Sequence, residues 1–309
     1  MQAKLPKPNA ASLATYRSLF QPDGPLPPAA ATSADRPLCM RFLVGRLQAA
    51  LDAAEYAVTV IAETGDAWFE GQRLRVPADG GAYESQLQYG SIGWAVGATL
   101  GYALGAAAGG SGGDEGNGGG QWPRWVERQQ QWVRRRGGHR VVTLSGDGAL
   151  QMTVQEVSTM IRYGADPIVI ILNNRSYAIE VLLHDNVYNY NKVRQEESIS
   201  DLPGQNRKNT APPHIQTRNP HNHTHRAQNW DYVGVMQAFD AGDNKVFATR
   251  AATEGEFAAA LARAWAHRGG PSVIECLVAI EDCAAELRRF GAACGKMSMR
   301  PYRPEPLAL

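Results

Sequence analysis

The chain has 309 residues, 44% of them hydrophobic and 20% charged, which describes a soluble globular protein able to bury a full core in one or two domains. A net charge of +1 gives no electrostatic argument for nucleic acid or a membrane surface as partner. The cysteines Cys39, Cys276, Cys283 and Cys294 show neither CxxC nor zinc spacing and read as reduced thiols of a cytoplasmic protein.

The first residues, Met-Gln-Ala-Lys-Leu-Pro-Lys-Pro, lack the apolar core of a secretion signal. Residues 1–36, rich in Pro, Ala and Ser, read as a connector with little structure, and residues 37–309 as the folded domain. Phe42, Leu43, Leu47, Ala50 and Leu51 recur at helical spacing. Ala57–Ala62 is an apolar, β-branched run that predicts a strand, and Glu63-Thr64-Gly65-Asp66 closes it with polar residues and a glycine. Gly90 to Gly113 carries no charge, and Gly93, Gly97, Gly101 and Gly105 lie four apart. That length would satisfy a membrane span. Its apolar bulk is modest and no aromatic and basic belt frames it, which favours a buried helix whose glycines admit a neighbouring backbone or a cofactor.

Residues 108–120 are nearly all glycine, and no Gly-Lys-Ser/Thr follows, so this is a linker by composition and not a phosphate loop. Arg134-Arg135-Arg136 reads as a solvated run rather than an RNA contact. Val141–Leu144 predicts a buried strand, broken by Gly146-Asp147-Gly148. Leu150, Val154, Val157, Met160 and Ile161 then predict one helix, which Pro167 stops, and Ile168–Leu172 predicts a second apolar strand ending in Asn173-Asn174. From about Arg194 to Gln228 the chain is again irregular. There His221, His223 and His225 alternate, in a Pro/Asn-rich setting that favours a loop over a metal site. The stretches about 106–138 and 192–228 read as insertions, each adding only about 2 kcal/mol of closure entropy to a loop. A helix after Tyr232, a strand at Lys245–Thr249, a helix at Glu254–Arg268 and a strand at Ser272–Val278 complete the pattern. Strands alternating with helices predict an α/β fold, a parallel sheet covered on both faces.

Two of these turns stand at the carboxyl ends of predicted parallel strands, the edge where open α/β sheets bind ligands. Asp147 can offer a carboxylate oxygen, Asn174 an amide oxygen and Ser176 its carbonyl, the oxygen donors a hard cation such as Mg²⁺ takes beside phosphate and water. Gly146 and Gly148 leave room for a diphosphate near the backbone. Gly148 and Asn173 are separated by 24 residues, filled by a helix and a strand.

That spacing resembles the thiamine diphosphate motif, GDG followed some two dozen residues later by NN. From about Asn9 to Pro304 the chain is similar to the carboxyl-terminal third to half of the pyruvate decarboxylases, plant forms most closely. The matching blocks are Ile61–Phe69, Tyr89–Trp94, Gly97–Tyr102, Gly146–Gly148, Ser158–Met160, Asn173-Asn174, Tyr177–Glu180 and Asp282–Gly291. The resemblance implies the thiamine diphosphate-binding fold, with thiamine diphosphate and Mg²⁺ as cofactors. It implies that Asp147, Asn174 and the Ser176 carbonyl hold the metal. Gly146, Gly148, Ala149 and Ile179 would line the diphosphate, and Thr64, Gly65, Asp66, Gly90 and Ser91 the aminopyrimidine end. Ile92 would wedge between the rings, and Glu180 would be the active-site glutamate. The implied reaction is decarboxylation of a 2-oxo acid, pyruvate to acetaldehyde first, with the cofactor ring taking up the electron pair.

The match has departures. Ala149 stands where the family usually has serine, and Arg175 and Ser176 replace smaller residues. In the family the cofactor lies between an amino-terminal, pyrimidine-binding domain of one subunit and this domain of another. The resemblance therefore implies half of a site, a pyrimidine-binding domain of a full-length or complementary subunit as partner, and a homo-oligomer in the complete enzyme. The alternatives are a non-catalytic cofactor-binding or regulatory module and a membrane protein built on Gly90–Gly113.

Overall fold

A computed structural model describes residues 32–76, 81–86, 88–110, 139–183 and 229–297, with positions 11 and 14. Its strands are Ala57–Ala62 (β1), Ala82–Ser85 (β2), His139–Gly146 (β3), Ile168–Asn173 (β4), Phe247–Ala251 (β5) and Ser272–Leu277 (β6). They form one all-parallel sheet in the order β2-β1-β3-β4-β6-β5. The four central strands are almost wholly buried and the two edge strands only partly. This is why the central ones read as unbroken apolar runs.

Alternate residues of the strands feed two cores. Val58, Val60, Val142, Leu144, Ile168, Ile170 and Ile274 pack on one face, against Leu43, Leu47 and Leu51 of Met40–Asp52 (α1) and Phe257 and Leu261 of Glu254–Ala266 (α8). Val169, Ile171 and Val273 pack on the other. They meet Val96 of Trp94–Gly110 (α3), Leu150 of Asp147–Thr153 (α4), Met160 of Glu156–Tyr163 (α5) and Met236 of Tyr232–Asp240 (α7). Burying each such Val, Leu or Ile is worth about 1.5–3 kcal/mol. Asp66–Gly71 (α2), Ala178–Leu183 (α6) and Ala285–Met297 (α9) complete the described helices and gather around Phe69, Ile179, Leu182 and Leu287.

Several expectations need correction. The single helix expected from Leu150 to Ile161 is two, α4 and α5, separated at Val154-Gln155. Gly164, not Pro167, ends the second: it is left-handed at φ +64°, and Ala165 N–H reaches Met160 O at 2.9 Å while Gly164 N–H reaches Ile161 O at 3.1 Å. The strand expected at Lys245–Thr249 lies at Phe247–Ala251. In α8 the expected start is fixed by Thr253, whose hydroxyl accepts Glu256 N–H while the Glu256 carboxylate accepts Thr253 N–H.

The uncharged stretch is α3, and no described helix is long and apolar enough to cross a membrane. It is also not buried all round. Ala95, Val96 and Thr99 face the core, whereas a Cβ at Gly97, Gly101 or Gly105 would meet nothing within 4 Å. α3 runs to Gly110, so positions 106–110 of the first expected insertion are helical. The rest of that insertion, the second one, the alternating histidines and most of the connector lie outside the described residues.

Candidate functional site

The chain leaves β1 toward one edge of the sheet and leaves β3 toward the other, so the strand order reverses between them. Such a reversal opens a crevice at the carboxyl ends of the strands. Register aligns Ala62 with Leu144 and Gly146 with Leu172, and Glu63 N–H donates to Leu144 O at 2.9 Å. Glu63–Gly65, Gly146–Gly148 and Asn173–Ser176 therefore share one edge.

Asp147 opens α4 and is buried. Its Oδ1 accepts Gly148 N–H at 2.9 Å, and its buried Oδ2 has no hydrogen-bond partner among the described residues. Burial pushes the Asp147 carboxyl up to about 6; the Gly148 and Arg175 amides hold it lower, and the charge of Glu275 pushes it higher. The pairing of Gly146 with Leu172 sets the Asn turn beside the Asp147 turn. The Asn turn is built from two Asx bonds: Asn173 Oδ1 accepts Arg175 N–H at 3.1 Å, and Asn174 Oδ1 accepts Ser176 N–H at 3.0 Å. Arg175 pays for the tight geometry with φ +58°, unusual for a side chain of its size. The two asparagines differ in what they can offer. Asn173 is pinned, its amide donating to Glu275 Oε1 at 2.7 Å and Asn229 Oδ1 at 3.0 Å. Asn174 is half-buried at the rim.

The orphaned Asp147 Oδ2 tests the metal reading. A buried carboxylate oxygen without a donor is costly, and a divalent cation would satisfy it. Among the described residues no three His, Cys, Asp or Glu side chains gather as a metal cluster. A cation here would therefore use one carboxylate with neutral amide and carbonyl oxygens, the donor set of a hard ion that keeps water and phosphate ligands. The residues present fit Mg²⁺.

The other wall comes from β1 and the loop before α3. Gly65 has φ +100°, and a Cβ there would sit 3.9 Å from Ile179 Cγ2; a Cβ at Gly90, φ +58°, would sit 3.8 Å from Thr64 Cγ2. So Thr64, Gly65, Gly90 and Ile179, far apart in sequence, are neighbours. Ser91 and Ile92 are exposed beside them, Ile92 at 52%. Gly146 has open space where a Cβ would go, so glycine there leaves room rather than relieving a clash. Ala149 is buried in the first turn of α4. Glu180 follows Ile179 on α6, half-buried. Asp66 follows Gly65 as the first residue of α2, and burial pushes its carboxyl up to about 7, with the Ala284 amide and Arg288 holding it lower and Asp282 pushing it higher.

Three residues that matter to the geometry escaped the sequence reading. Glu63 is wholly buried and accepts Thr64, Gly93 and Ala95 N–H. Glu275, held by Arg250 Nε at 2.8 Å, pins Asn173. Tyr232 donates from its hydroxyl to Asp147 O at 3.1 Å. The two glutamates had a visible signal, an acid in or directly after an apolar strand, where charge is rarely buried without a task.

A family model described as thiamine pyrophosphate enzyme, C-terminal TPP binding domain, matches residues 79–276. Pyruvate decarboxylase 3 of Oryza sativa subsp. indica is 33% identical over 304 residues, 98% of this chain and 40% of that protein. Pyruvate decarboxylase 1 of Pisum sativum is 32% identical over 305 residues, 98% of this chain and 39% of that protein. Pyruvate decarboxylase 3 of Arabidopsis thaliana is 31% identical over 305 residues, again covering 98% and 39%. The chain thus spans about two-fifths of the length of these curated relatives.

Proposed function

We propose, from the premise that the chain belongs to the thiamine pyrophosphate enzymes and carries their C-terminal TPP-binding domain, that it supplies the diphosphate- and Mg²⁺-binding half of a 2-oxo acid decarboxylase site. The observation that carries this reading is the buried, unpartnered Asp147 Oδ2 beside the Asn173–Ser176 turn. Asp147, Asn174 and the Ser176 carbonyl would hold the cation. The open backbone at Gly146, with Gly148 and Ala149 at the start of α4, would admit the diphosphate, which the partial positive charge of the helix start also favours. Thr64, Gly65, Gly90 and Ile92 would line the ring end.

Once bound, the thiazolium ring would serve as the electron sink that lets carbon dioxide leave a 2-oxo acid. This chain's residues bind, orient and exchange protons around it, with the Glu180 carboxyl assigned to proton transfer. Pyruvate is the proposed substrate and acetaldehyde the product, in keeping with the decarboxylase names of the relatives.

Calorimetry with thiamine diphosphate and Mg²⁺ tests the cofactor assignment: wild type binds, and Asp147→Ala loses Mg²⁺-dependent binding by 100-fold or more, on the order expected when a charged ligand of a hard cation is removed. Retained binding in Asp147→Ala overturns it. Mixing the chain with a separately produced pyrimidine-binding domain tests the reaction, through release of carbon dioxide from pyruvate. Cofactor binding without turnover in that mixture supports instead a binding or regulatory module.

A further inference from the structure

Ile92 is about half exposed, so side-chain packing holds it only in part and its position depends on its backbone neighbours as well. The next residue, Gly93, is where three elements meet. Its N–H donates to Glu63 Oε2 at 3.0 Å, from the end of β1. Its C=O accepts the Thr153 hydroxyl at 2.6 Å, from the last turn of α4. It is left-handed, φ +86°, and a Cβ there would come within 2.7 Å of Met152 Cβ. The same Glu63 carboxylate accepts Ala95 N–H at 3.0 Å through Oε2 and Thr64 N–H at 2.9 Å through Oε1.

All three partners of Glu63 are donors, two of them at the amino end of α3, where a negative charge is stabilised. An ionised carboxylate satisfies all three. A glutamine cannot, because its NH₂ must face one of the N–H groups. Thr153 ends the helix that Asp147 begins. Gly93 is thus tied on one side, through Glu63, to Thr64 and on the other to the helix of the metal end.

We propose that Glu63 and Thr153 are positioning residues, a two-sided clamp on Gly93 that sets Ile92 at the ring end of the cofactor site in register with the diphosphate end. This rests on the cofactor reading proposed above. The clamp predicts a selective defect. A ligand that occupies only the diphosphate end should not sense it, whereas one that also reaches Ile92 should.

The test compares thiamine diphosphate with inorganic pyrophosphate, each with Mg²⁺, by calorimetry on wild type, Thr153→Val, Thr153→Ser and Glu63→Gln. Thr153→Val keeps the shape and removes the hydroxyl. It should weaken thiamine diphosphate roughly tenfold, the scale of one lost buried hydrogen bond, and leave pyrophosphate within about twofold. Thr153→Ser should restore wild-type affinity. Glu63→Gln should show the same split more strongly, and if it fails to fold the Thr153 pair decides alone. Equal weakening of both ligands in Thr153→Val, or none, overturns the clamp while leaving the proposed function standing. A wild type that binds no thiamine diphosphate overturns both.

Discussion

Gly93 and Gly101 share one four-residue spacing, yet they are glycine for opposite reasons. Gly93 needs a left-handed backbone, and Met152 Cβ lies only 2.7 Å from where its own Cβ would sit. Gly101 lies inside α3 with ordinary helical backbone and nothing within 4 Å of the Cβ position. Gly93→Ala should therefore destabilise the fold by about 2–4 kcal/mol, from strained φ and overpacking together. Gly101→Ala should stabilise it by about 0.5–1 kcal/mol, because alanine loses less backbone entropy in a helix. Urea midpoints of the two variants check both signs. Similar shifts in one direction would mean that α3 is not placed as described. The contrast also shows what a spacing argument can see: it finds the stripe but not which of its members touches anything.

At the scale of elements, α2 meets α9 through carboxylates. Burial pushes both Asp66 and Glu70 up to about 7; Asp282 raises each further, and Glu286 also raises Glu70. Arg288 opposes this at Asp66 and Arg73, 3.2 Å from Glu70, opposes it there. Cys283 lies within the same field. The folded state thus holds protons that the unfolded chain releases near pH 4. Stability from this cluster is full below the ordinary carboxylate range, falls as pH rises from about 4 to 7, and is flat above. The slope is at most about 1.4 kcal/mol per pH unit for each group. Denaturant unfolding from pH 5 to 8 should show the decline, and Asp66→Asn should flatten it and raise stability at pH 8; an unchanged slope in that variant would assign the decline elsewhere.

None of this junction was legible in the sequence. Strands β1, β3, β4 and β6 were, because burial on both faces leaves an unbroken apolar run. Edge strand β2 hid because Ala82–Ser85 is half-buried and short. The Asp147 and Asn174 turns were legible because each sits at the end of its own strand. The bonds of Glu63 and Thr153 to Gly93 were not, since Gly93 lies 30 and 60 residues away, and only the register of the sheet and the path of α3 bring it to them.

For the molecule as a whole, the candidate site joins the ends of β1, β3 and β4 and the starts of α2, α3, α4 and α6. A ligand there would tie together parts that must separate on unfolding. Thiamine diphosphate with Mg²⁺ at about 100 times its dissociation constant should stabilise the chain by about 2.7 kcal/mol, read as a rise in melting temperature. Asp147→Ala should lose that rise. Its unliganded stability should be equal to the wild type or higher, because burial disfavours the Asp147 carboxylate and its Oδ2 has no hydrogen-bond partner among the described residues. A group that costs the empty fold something and is kept at the mouth of a crevice belongs to what fills the crevice. An unliganded Asp147→Ala chain melting well below wild type would make the carboxylate a strut of the fold, and the cation would lose its principal ligand.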